Sequence, residues 1–365
     1  MPHVPPRRQF LEHGGRAALA WSLLGGRSLA SFAPSGPWDR LTAGLDAQVP
    51  MLMAELAVPG VSIAIVKDGA IAWRRAFGVR DAASKAPVDT DTIFEAASMS
   101  KPVFAYAVMK LCEQGVLDLD RPLSEYAPRP FLENDPRASL ITARHVLSHS
   151  TGFQNWRSDD EPLAIHFTPG ERYGYSGEGF SYLQSVVTHV TRQPIEAFMK
   201  AHLLHPFGMS SCAYVWNEIL EARAARPHDG RGRTRDHRKR TAADAARYAA
   251  AGDLFSTPTE YAKFIVENIS PRPADSFRLT AASLREMRRP QMKVDDVRSR
   301  GLGWELVHAD GDEVIQHGGD NPGFRAFAAA SPAHRCGMVV MTNGNSGGAL
   351  LGRFFAATLR GLRDA

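Results

Sequence analysis

Short runs of strand-forming residues lie in two groups near the ends of this chain, separated by a long and mostly helical stretch. An amphipathic pattern at 38–56 is followed by strand-type runs at 61–66 and 71–77. The second group precedes a helical pattern at 349–362 and comprises residues 303–307, 314–317, 324–330 and 336–342. We therefore predict an α/β (α+β) fold: one mostly antiparallel sheet flanked by helices, built from both ends, with an inserted all-helical lobe.

The segmentation follows from these patterns. Asp68-Gly69 between the first two runs is typical of a tight hairpin turn, which makes those strands antiparallel. We expect residues 34–365 to form one domain. Its α/β layer would come from about 38–97 and 266–365, and its helical insertion from about 98–265.

Residues 1–33 have the order of an export signal. Arg7-Arg8 with Phe10-Leu11 precede a moderately apolar stretch at 17–24 and a small-residue segment at 28–33. This order resembles a twin-arginine signal peptide, which implies a periplasmic or secreted protein. The alternative is a leader that is never cleaved. No stretch reaches the roughly 18 apolar residues that a membrane span needs, so we expect no stable insertion into a membrane.

Charge and cysteine content exclude several classes of protein. The formal net charge is +4 over 365 residues, and +3 of it lies in residues 1–33, so the remaining chain is nearly neutral and gives no reason to expect nucleic-acid binding. The cysteines number 3, which does not suit a disulfide framework; we interpret them as small core residues. Segment 223–240 is rich in arginine but has no interleaved aromatic residues, which favours a solvated loop, able to rim a pocket, over a polyanion-binding strip.

The most informative short pattern is Ser98-Met99-Ser100-Lys101, followed by a helical run. A serine and a lysine three residues apart share one face of a helix, and Pro102 is compatible with its first turn. A serine hydroxyl becomes a useful nucleophile only when a base removes its proton, and a buried lysine can be that base. The alternative is that Ser98 merely caps the helix while Lys101 lies on the surface.

Two other patterns compete for a catalytic interpretation. Residues 344–348 satisfy the nucleophile-elbow formula around Ser346, but no histidine follows that serine, so we interpret the segment as a glycine-rich turn. His145 and His149 have the spacing of a zinc-binding helix pair, yet Val146 stands where that motif has its glutamate. We therefore expect no metal site there.

Six segments in order extend the Ser98 pattern. From about Trp38 to the C-terminus the chain resembles the serine β-lactamase and penicillin-binding superfamily, in the branch of class C β-lactamases, D-alanyl-D-alanine carboxypeptidases and related esterases. The segments that carry the resemblance are residues 94–101 (FEAASMSK), 141–152 (ITARHVLSHSTG), 169–177 with Pro-Gly and Tyr-Ser-Gly, 251–257 (AGDLFST), 301–304 (GLGW) and 317–319 (HGG).

The resemblance implies specific roles. Tyr175 would lie beside Ser98 and Lys101 and move the proton, with the first base left open between tyrosine and lysine. The His317-Gly318-Gly319 segment would line the cleft on a strand, its small residues letting substrate approach closely, and His317 would add polarity or positive charge. The backbone N–H groups of Ser98 and Asp320 would hold the oxyanion.

Gly177 departs from the family pattern, which has asparagine at this substrate-binding position. The loss of a carboxamide that would recognise a substrate amide makes esters at least as plausible as β-lactams. The sequence thus predicts a serine hydrolase that needs no cofactor and acts on a small ester, β-lactam or peptide, with ester hydrolysis favoured over the activity of a true β-lactamase or D-alanyl-D-alanine carboxypeptidase. A non-catalytic relative that binds peptidoglycan or a partner protein is the alternative of another class.

Overall fold

The computed structural model describes residues 36–365 except 128 and 310. The expected export leader at 1–33 lies outside the described residues. None of the helices within the described part of the chain is long and apolar enough to cross a membrane.

The strands form one large antiparallel sheet and one small one. The nine-stranded sheet has the order β3-β2-β1-β11-β10-β9-β8-β7-β6, and β4 pairs with β5 separately. The strands are β1 Gly60–Lys67, β2 Ala70–Asp81, β3 Ala86–Pro87, β4 Phe94–Ala97, β5 Leu254–Ser256, β6 Met292–Lys293, β7 Arg298–Arg300, β8 Glu305–Ala309, β9 Asp312–Asn321, β10 Phe324–Ser331 and β11 Cys336–Thr342. The predicted mostly antiparallel sheet, built from both ends of the chain, is confirmed.

Helices cover both faces of the large sheet. The helices are α1 Pro37–Glu55, α2 Ser100–Glu113, α3 Ala143–Leu147, α4 Gly177–Thr191, α5 Ile195–Met199, α6 Glu218–Arg223, α7 Ala242–Gly252, α8 Pro258–Ile269, α9 Ala281–Arg288 and α10 Gly347–Asp364. In the period-2 pattern of β11, Met338 and Val340 pack with α1 and α10, whereas Val339 and Met341 pack with the helical region. The sheet therefore separates two hydrophobic cores.

The long helical stretch differs from the prediction in detail. It contains one short strand, β5, which pairs with β4, and its last helix, α8, packs on β1 and β11. The predicted strand at 303–307 begins two residues later, because Gly303 adopts a left-handed φ of 83° that an extended strand does not allow.

The hairpin turn and the cysteines follow the predictions. Asp68 and Gly69 both have positive φ between β1 and β2, as a tight two-residue hairpin requires. Cys212 and Cys336 are buried, while Cys112 is half-buried and packs against the core. All three thiols are free.

Candidate active site

Ser98 lies at a strained junction between β4 and α2. Ala97 has a φ of 50°, which is unfavourable for a residue with a Cβ atom, and the β4–β5 register shifts at this point. The hydroxyl of Ser100 holds the turn by donating to Ala97 O at 2.6 Å and accepting from Leu254 N at 3.0 Å. The strained turn leaves Ser98 half-buried on the wall of a cavity of about 990 Å³.

Lys101 projects from the first turn of α2 toward Ser98. Its Nζ atom lies 3.2 Å from Ser98 Oγ and donates to Ala251 O at 2.6 Å, and the residue is only 1% exposed. The alternative of a capping Ser98 with a surface lysine is wrong, because the N-cap is Met99, which makes no side-chain cap bond, and because Lys101 is buried. Nucleophile and amine thus share a hydrogen bond.

Tyr175 joins this pair through the face of its ring. Lys101 Nζ lies 4.9 Å from the ring centroid, and the ring of His149 stacks on the Tyr175 ring with the two centroids 4.2 Å apart. Within the described part of the chain the Tyr175 hydroxyl makes no hydrogen bond, so the expected hydrogen bonds linking it to Ser98 and Lys101 are not formed. Ser98 and Tyr175 nevertheless line one cavity, and catalytic hydrogen bonds often form only when substrate is bound.

His149 is a buried support for the tyrosine. It lies beyond the end of α3 with a φ of 56°, so it does not share a helix with His145 as a zinc-binding pair would. Its Nδ1 accepts from Ser176 N at 3.1 Å, which in the neutral ring leaves the proton on Nε2. Burial, together with the positive charges of Arg300 and Lys101, lowers the pKa of His149 well below its usual range. The ring is therefore a neutral platform for Tyr175.

His317 faces the same cavity from β9. Its Nδ1 lies 2.7 Å from Gly318 O, and since a carbonyl only accepts, Nδ1 carries the proton and Nε2 presents a lone pair. That Nε2 is buried without a partner. Burial, with the charges of Arg300 and Lys101, lowers the pKa of His317 to about 3. Of the two roles expected for this residue, the structure favours polarity over positive charge.

The two glycines after His317 are explained by contacts within the protein. A Cβ atom at Gly319 would lie 2.2 Å from Ala96 O, so β9 passes directly over the strand that leads to Ser98. At Gly318 a Cβ would lie 3.3 Å from the Phe327 ring on the opposite face. At Gly319 the missing side chain thus allows β9 to lie close to β4 of the protein itself. That the small residues also let substrate lie close to β9 remains a prediction.

The predicted oxyanion role of Asp320 concerns its backbone N–H, because its side chain is engaged elsewhere. Its side chain is exposed and forms an ion pair with Arg325 at 2.8 Å. The pairing of β8 with β9 ends at Glu305 and Gln316, so the part of β9 from His317 onward runs past the end of β8 beside the cavity.

Comparison with known protein families identifies the family of this chain. The Beta-lactamase family model matches residues 45–358, most of the chain. The chain belongs to the Beta-lactamase family.

Curated relatives of this family member include an esterase. Esterase EstB of Burkholderia gladioli is 32% identical over 220 residues, which covers 52% of this chain and 55% of EstB. Protein flp of Staphylococcus aureus (strain MW2) is 23% identical over 312 residues, 79% of this chain and 60% of flp. The chain therefore spans little more than half the length of these relatives.

Solved structures of similar fold carry related names. An octameric penicillin-binding protein homologue from Pyrococcus abyssi has a TM-score of 0.72 at 25% identity, covering 84% of this chain and 74% of its own. A Beta-Lactamase/D-Alanine Carboxypeptidase from Pseudomonas syringae has a TM-score of 0.73 at 19% identity, covering 87% and 98%, respectively. The latter shows likeness of fold alone.

Gly177 of this Beta-lactamase family member has a neighbour that explains the missing asparagine. A Cβ atom at Gly177 would lie 2.4 Å from the indole ring of Trp156. Trp156 lines the cavity beside Ser98, is 41% exposed and meets Tyr248 edge to face. The Trp156 ring therefore occupies the space into which a side chain at position 177 would project.

Two buried charged residues at the site were missed by the sequence analysis. Glu95 accepts from Asn321 Nδ2 at 2.6 Å, contacts His237 at 2.9 Å and pairs with Arg240 at 3.3 Å. The available signal was a carboxylate inside an otherwise apolar strand. Glu95 ties β4, the end of β9 and the arginine-rich segment together.

Arg300 is the second missed residue. It lines the cavity, is 8% exposed, donates to Tyr173 Oη at 2.9 Å and pairs with Glu305 at 3.2 Å. Its guanidinium carbon lies 5.9 Å from the centroid of the Tyr175 ring. The strand that carries it, Arg298–Arg300, has no apolar residue, so no periodic pattern pointed to it.

The arginine-rich segment is not simply a solvated loop. Arg240 is mostly buried and pairs with Glu95 and Asp253, and Arg238 pairs with Asp244. Both arginines line a second cavity of about 300 Å³ next to the first. The expectation that the segment could rim a pocket is confirmed.

The second serine pattern forms the predicted turn. Residues 343–346 connect β11 to α10, which begins at Gly347, and the hydroxyl of Ser346 donates to Gly230 O at 3.2 Å. Among the residues that the structure describes, no histidine forms a hydrogen bond with Ser346, so this serine lacks the histidine base that the nucleophile-elbow motif uses.

Proposed function

We propose that this Beta-lactamase family hydrolase acts on carboxylic esters through an acyl intermediate on Ser98. The observation that supports the proposal best is the 3.2 Å contact between Ser98 Oγ and Lys101 Nζ on the wall of an open cavity. Nucleophilic catalysis by serine requires an adjacent base, and a buried amine that is hydrogen-bonded to the hydroxyl can be that base.

The proposed reaction has two steps. Ser98 Oγ attacks the ester carbonyl, its proton passes to Lys101 or Tyr175, and the departing alcohol receives that proton. Water then attacks the acyl-serine, gives a proton to the same pair and releases the acid, and Ser98 regains its hydrogen. In both steps the N–H groups of Ser98 and Asp320 stabilise the oxyanion, a contribution typically worth about 3–4 kcal/mol per donor.

Esters are favoured over amides and β-lactams because of Trp156. Where the family resemblance places a carboxamide, this chain has Gly177 and an indole ring above it. The indole has one N–H donor and no acceptor, so it cannot replace a carboxamide that both donates to and accepts from an acylamide group, and that group would bury polar atoms without partners. The resemblance to Esterase EstB at 32% identity agrees with this preference.

A substrate panel tests the proposal. We expect the purified protein to hydrolyse p-nitrophenyl acetate and butyrate with a kcat/KM at least tenfold above that for a chromogenic cephalosporin or a D-alanyl-D-alanine peptide. Intact mass after rapid quenching should show an acyl adduct, absent in Ser98→Ala.

Three outcomes contradict the proposal. Faster turnover of the cephalosporin would identify a β-lactamase, and faster turnover of the peptide a carboxypeptidase. If no substrate is turned over and no adduct forms on folded protein, the chain is a binding protein.

A further inference from the structure

The cavity at Ser98 extends well beyond the reacting groups. It continues over the face of the large sheet that α1 and α10 cover, between β8, β9 and β10 on one side and α10 on the other. The extension, which we term the α10 groove, is lined by Val307, Val314, Phe327, Leu351, Phe355 and Leu359.

Alternate residues of β9 face opposite sides of the sheet, and one set of them lines this groove. Ile315 and His317 point toward the helical region, so Val314, Gln316 and Gly318 line the opposite face. Because Gly318 has no side chain, nothing projects from β9 into the cavity at this position, where a Cβ atom would lie 3.3 Å from the Phe327 ring. Ser98 and the apolar extension line one cavity.

Small residues on α10 form the facing wall. Gly348, Gly352 and Ala356 recur every four residues, on one face of the helix, and all three line the cavity. A Cβ atom at Gly352 would meet no atom within 4 Å. All three residues are exposed, so a larger side chain at Gly352 has room beside the helix.

The length and polarity of the groove restrict its occupant. From Gly348 to Arg363, the first and last α10 residues that line it, α10 rises about 22 Å at 1.5 Å per residue. Apolar residues predominate along this path, to which β8 and β9 also contribute Glu305 and Gln316. Arginine side chains lie near the two ends, Arg325 beside Gly348 and Arg360 and Arg363 toward the end of α10. A long and mostly apolar cavity that also contains a nucleophile suits a linear hydrocarbon chain better than a compact polar group.

We propose that the α10 groove binds a linear alkyl chain of the ester substrate. The inference rests on the proposed esterase function and adds the substrate class, long-chain rather than short-chain esters. The chain belongs either to the acid or to the alcohol part of the ester, and the two are separated by the experiment below. Each methylene buried in the groove should raise kcat/KM about 3–4-fold until the groove is filled.

The test uses two matched glycine substitutions. Gly352→Phe fills the groove, while Gly44→Phe makes the same change at an exposed position of α1 that likewise has no atom within 4 Å of the added Cβ. Both replace a helical glycine with a better helix former, so neither should unfold the protein. Hydrolysis is followed for p-nitrophenyl esters from acetate to dodecanoate and for alkyl acetates from ethyl to dodecyl.

We expect kcat/KM to rise with chain length in one of the two series, which identifies the part of the ester in the groove. Gly352→Phe should reduce hydrolysis of the long member of that series at least 30-fold and leave the shortest within twofold. Gly44→Phe should match the unmodified protein throughout. Equal rates along both series, or equal losses for long and short esters in Gly352→Phe, would overturn the inference while leaving the esterase proposal intact.

A binding measurement separates this inference from the function on which it rests. The fluorescent fatty acid cis-parinaric acid should bind the unmodified protein and Gly44→Phe, and Gly352→Phe should weaken that binding at least tenfold. If esters are not hydrolysed but this binding pattern holds, the esterase proposal fails and the groove assignment stands. Binding that Gly352→Phe does not alter would contradict the groove assignment.

Discussion

The two walls of the cavity around Ser98 are built in different ways. One is a single stretch, residues 96–101, in which a strained turn and one helical turn fix Ser98 and Lys101 relative to each other. The other is assembled from distant segments that carry Trp156, Tyr175, Arg300 and His317. We call them the local wall and the assembled wall.

From this difference we infer that the local wall determines reactivity and the assembled wall determines selectivity among substrates. The local wall contains the hydroxyl and the amine that the proposed acyl transfer uses. The assembled wall contains the Trp156 ring and the neutral His317 imidazole, which we expect to contact a bound substrate. Changes to the local wall should therefore affect all substrates equally, and changes to the assembled wall should alter the ratio between substrates.

Lys101→Met should produce the largest effect on this comparison. The substitution keeps an unbranched chain of similar length in the same buried space but removes the amine next to Ser98 Oγ. We expect kcat/KM to fall about 10³-fold for esters and cephalosporins alike, the range typical of a lost proton-transfer group. Steady-state kinetics on both substrate classes provide the measurement.

Lys293→Met is the matched control for this prediction, because Lys293 is 72% exposed and pairs with the exposed Asp296. Its kinetics should be unchanged. A Lys101→Met protein that loses ester turnover but keeps cephalosporin turnover would show that the local wall is not common to both reactions.

The local wall and the sheet could be predicted from the sequence because interactions between residues close in sequence determine them. A serine and a lysine three residues apart are brought together by a single turn of backbone, and here Ser98 precedes α2 while Lys101 N donates to Ser98 O at 3.0 Å. The Asp68-Gly69 turn and the alternating strands likewise use local chemistry, and the structure has both. Even so, the left-handed Ala97 had no sequence signal, because alanine carries no preference for positive φ.

The assembled wall was only partly predictable because it depends on long-range packing. Tyr175 and His317 were placed through resemblance to a family, and the structure brings both to the cavity. Trp156 was missed because nothing local indicates that its ring will cover Gly177, a neighbour set by the loop that folds back onto α4. Arg300 was missed because the strand that carries it is polar throughout.

Gly177→Asn should have the next largest effect and acts on the assembled wall. The added Cβ would lie 2.4 Å from the Trp156 ring, so the single substitution should cost about 1–3 kcal/mol of stability and reduce ester turnover about tenfold. Adding Trp156→Ala frees that space. The pair should recover stability and raise the cephalosporin-to-ester ratio of kcat/KM at least tenfold above that of the unmodified protein.

Urea unfolding and kinetics of both single variants and the pair complete a double-mutant cycle. We expect a coupling of about 1–2 kcal/mol, because the two positions contact each other. Additive effects would mean that the ring does not limit position 177. An unchanged substrate ratio in the pair would mean that this wall does not select between amides and esters.

Glu95→Gln tests the connection between the walls and should have a smaller effect. Glu95 is 6% exposed in the strand before Ser98 and accepts from Asn321 at the end of β9. Removing its charge leaves Arg240 without one of its two carboxylates, so we expect a loss of about 2 kcal/mol in stability and a fivefold to tenfold fall in kcat/KM for all substrates.

Glu221→Gln is the control for Glu95→Gln, since Glu221 pairs with Lys239 of the same segment but is 58% exposed. It should be within 0.5 kcal/mol of the unmodified protein, as exposed ion pairs usually are. If Glu95→Gln lost stability without any change in kcat/KM at low temperature, the link between the walls would be purely structural.

The smallest predicted effect concerns acid and His317. Unfolded histidine takes up a proton near pH 6.5, whereas burial lowers the pKa of folded His317 to about 3. Between these values the unfolded state binds more protons, so His317 reduces stability as pH falls from 6.5 toward 3. His317→Gln removes this contribution, and between pH 7 and pH 5 it should therefore lose about 1–2 kcal/mol less stability than the unmodified protein, measured by urea unfolding. Equal losses would mean that His317 takes up its proton over the same pH range in the folded and the unfolded protein, so that burial does not keep the ring neutral at pH 5.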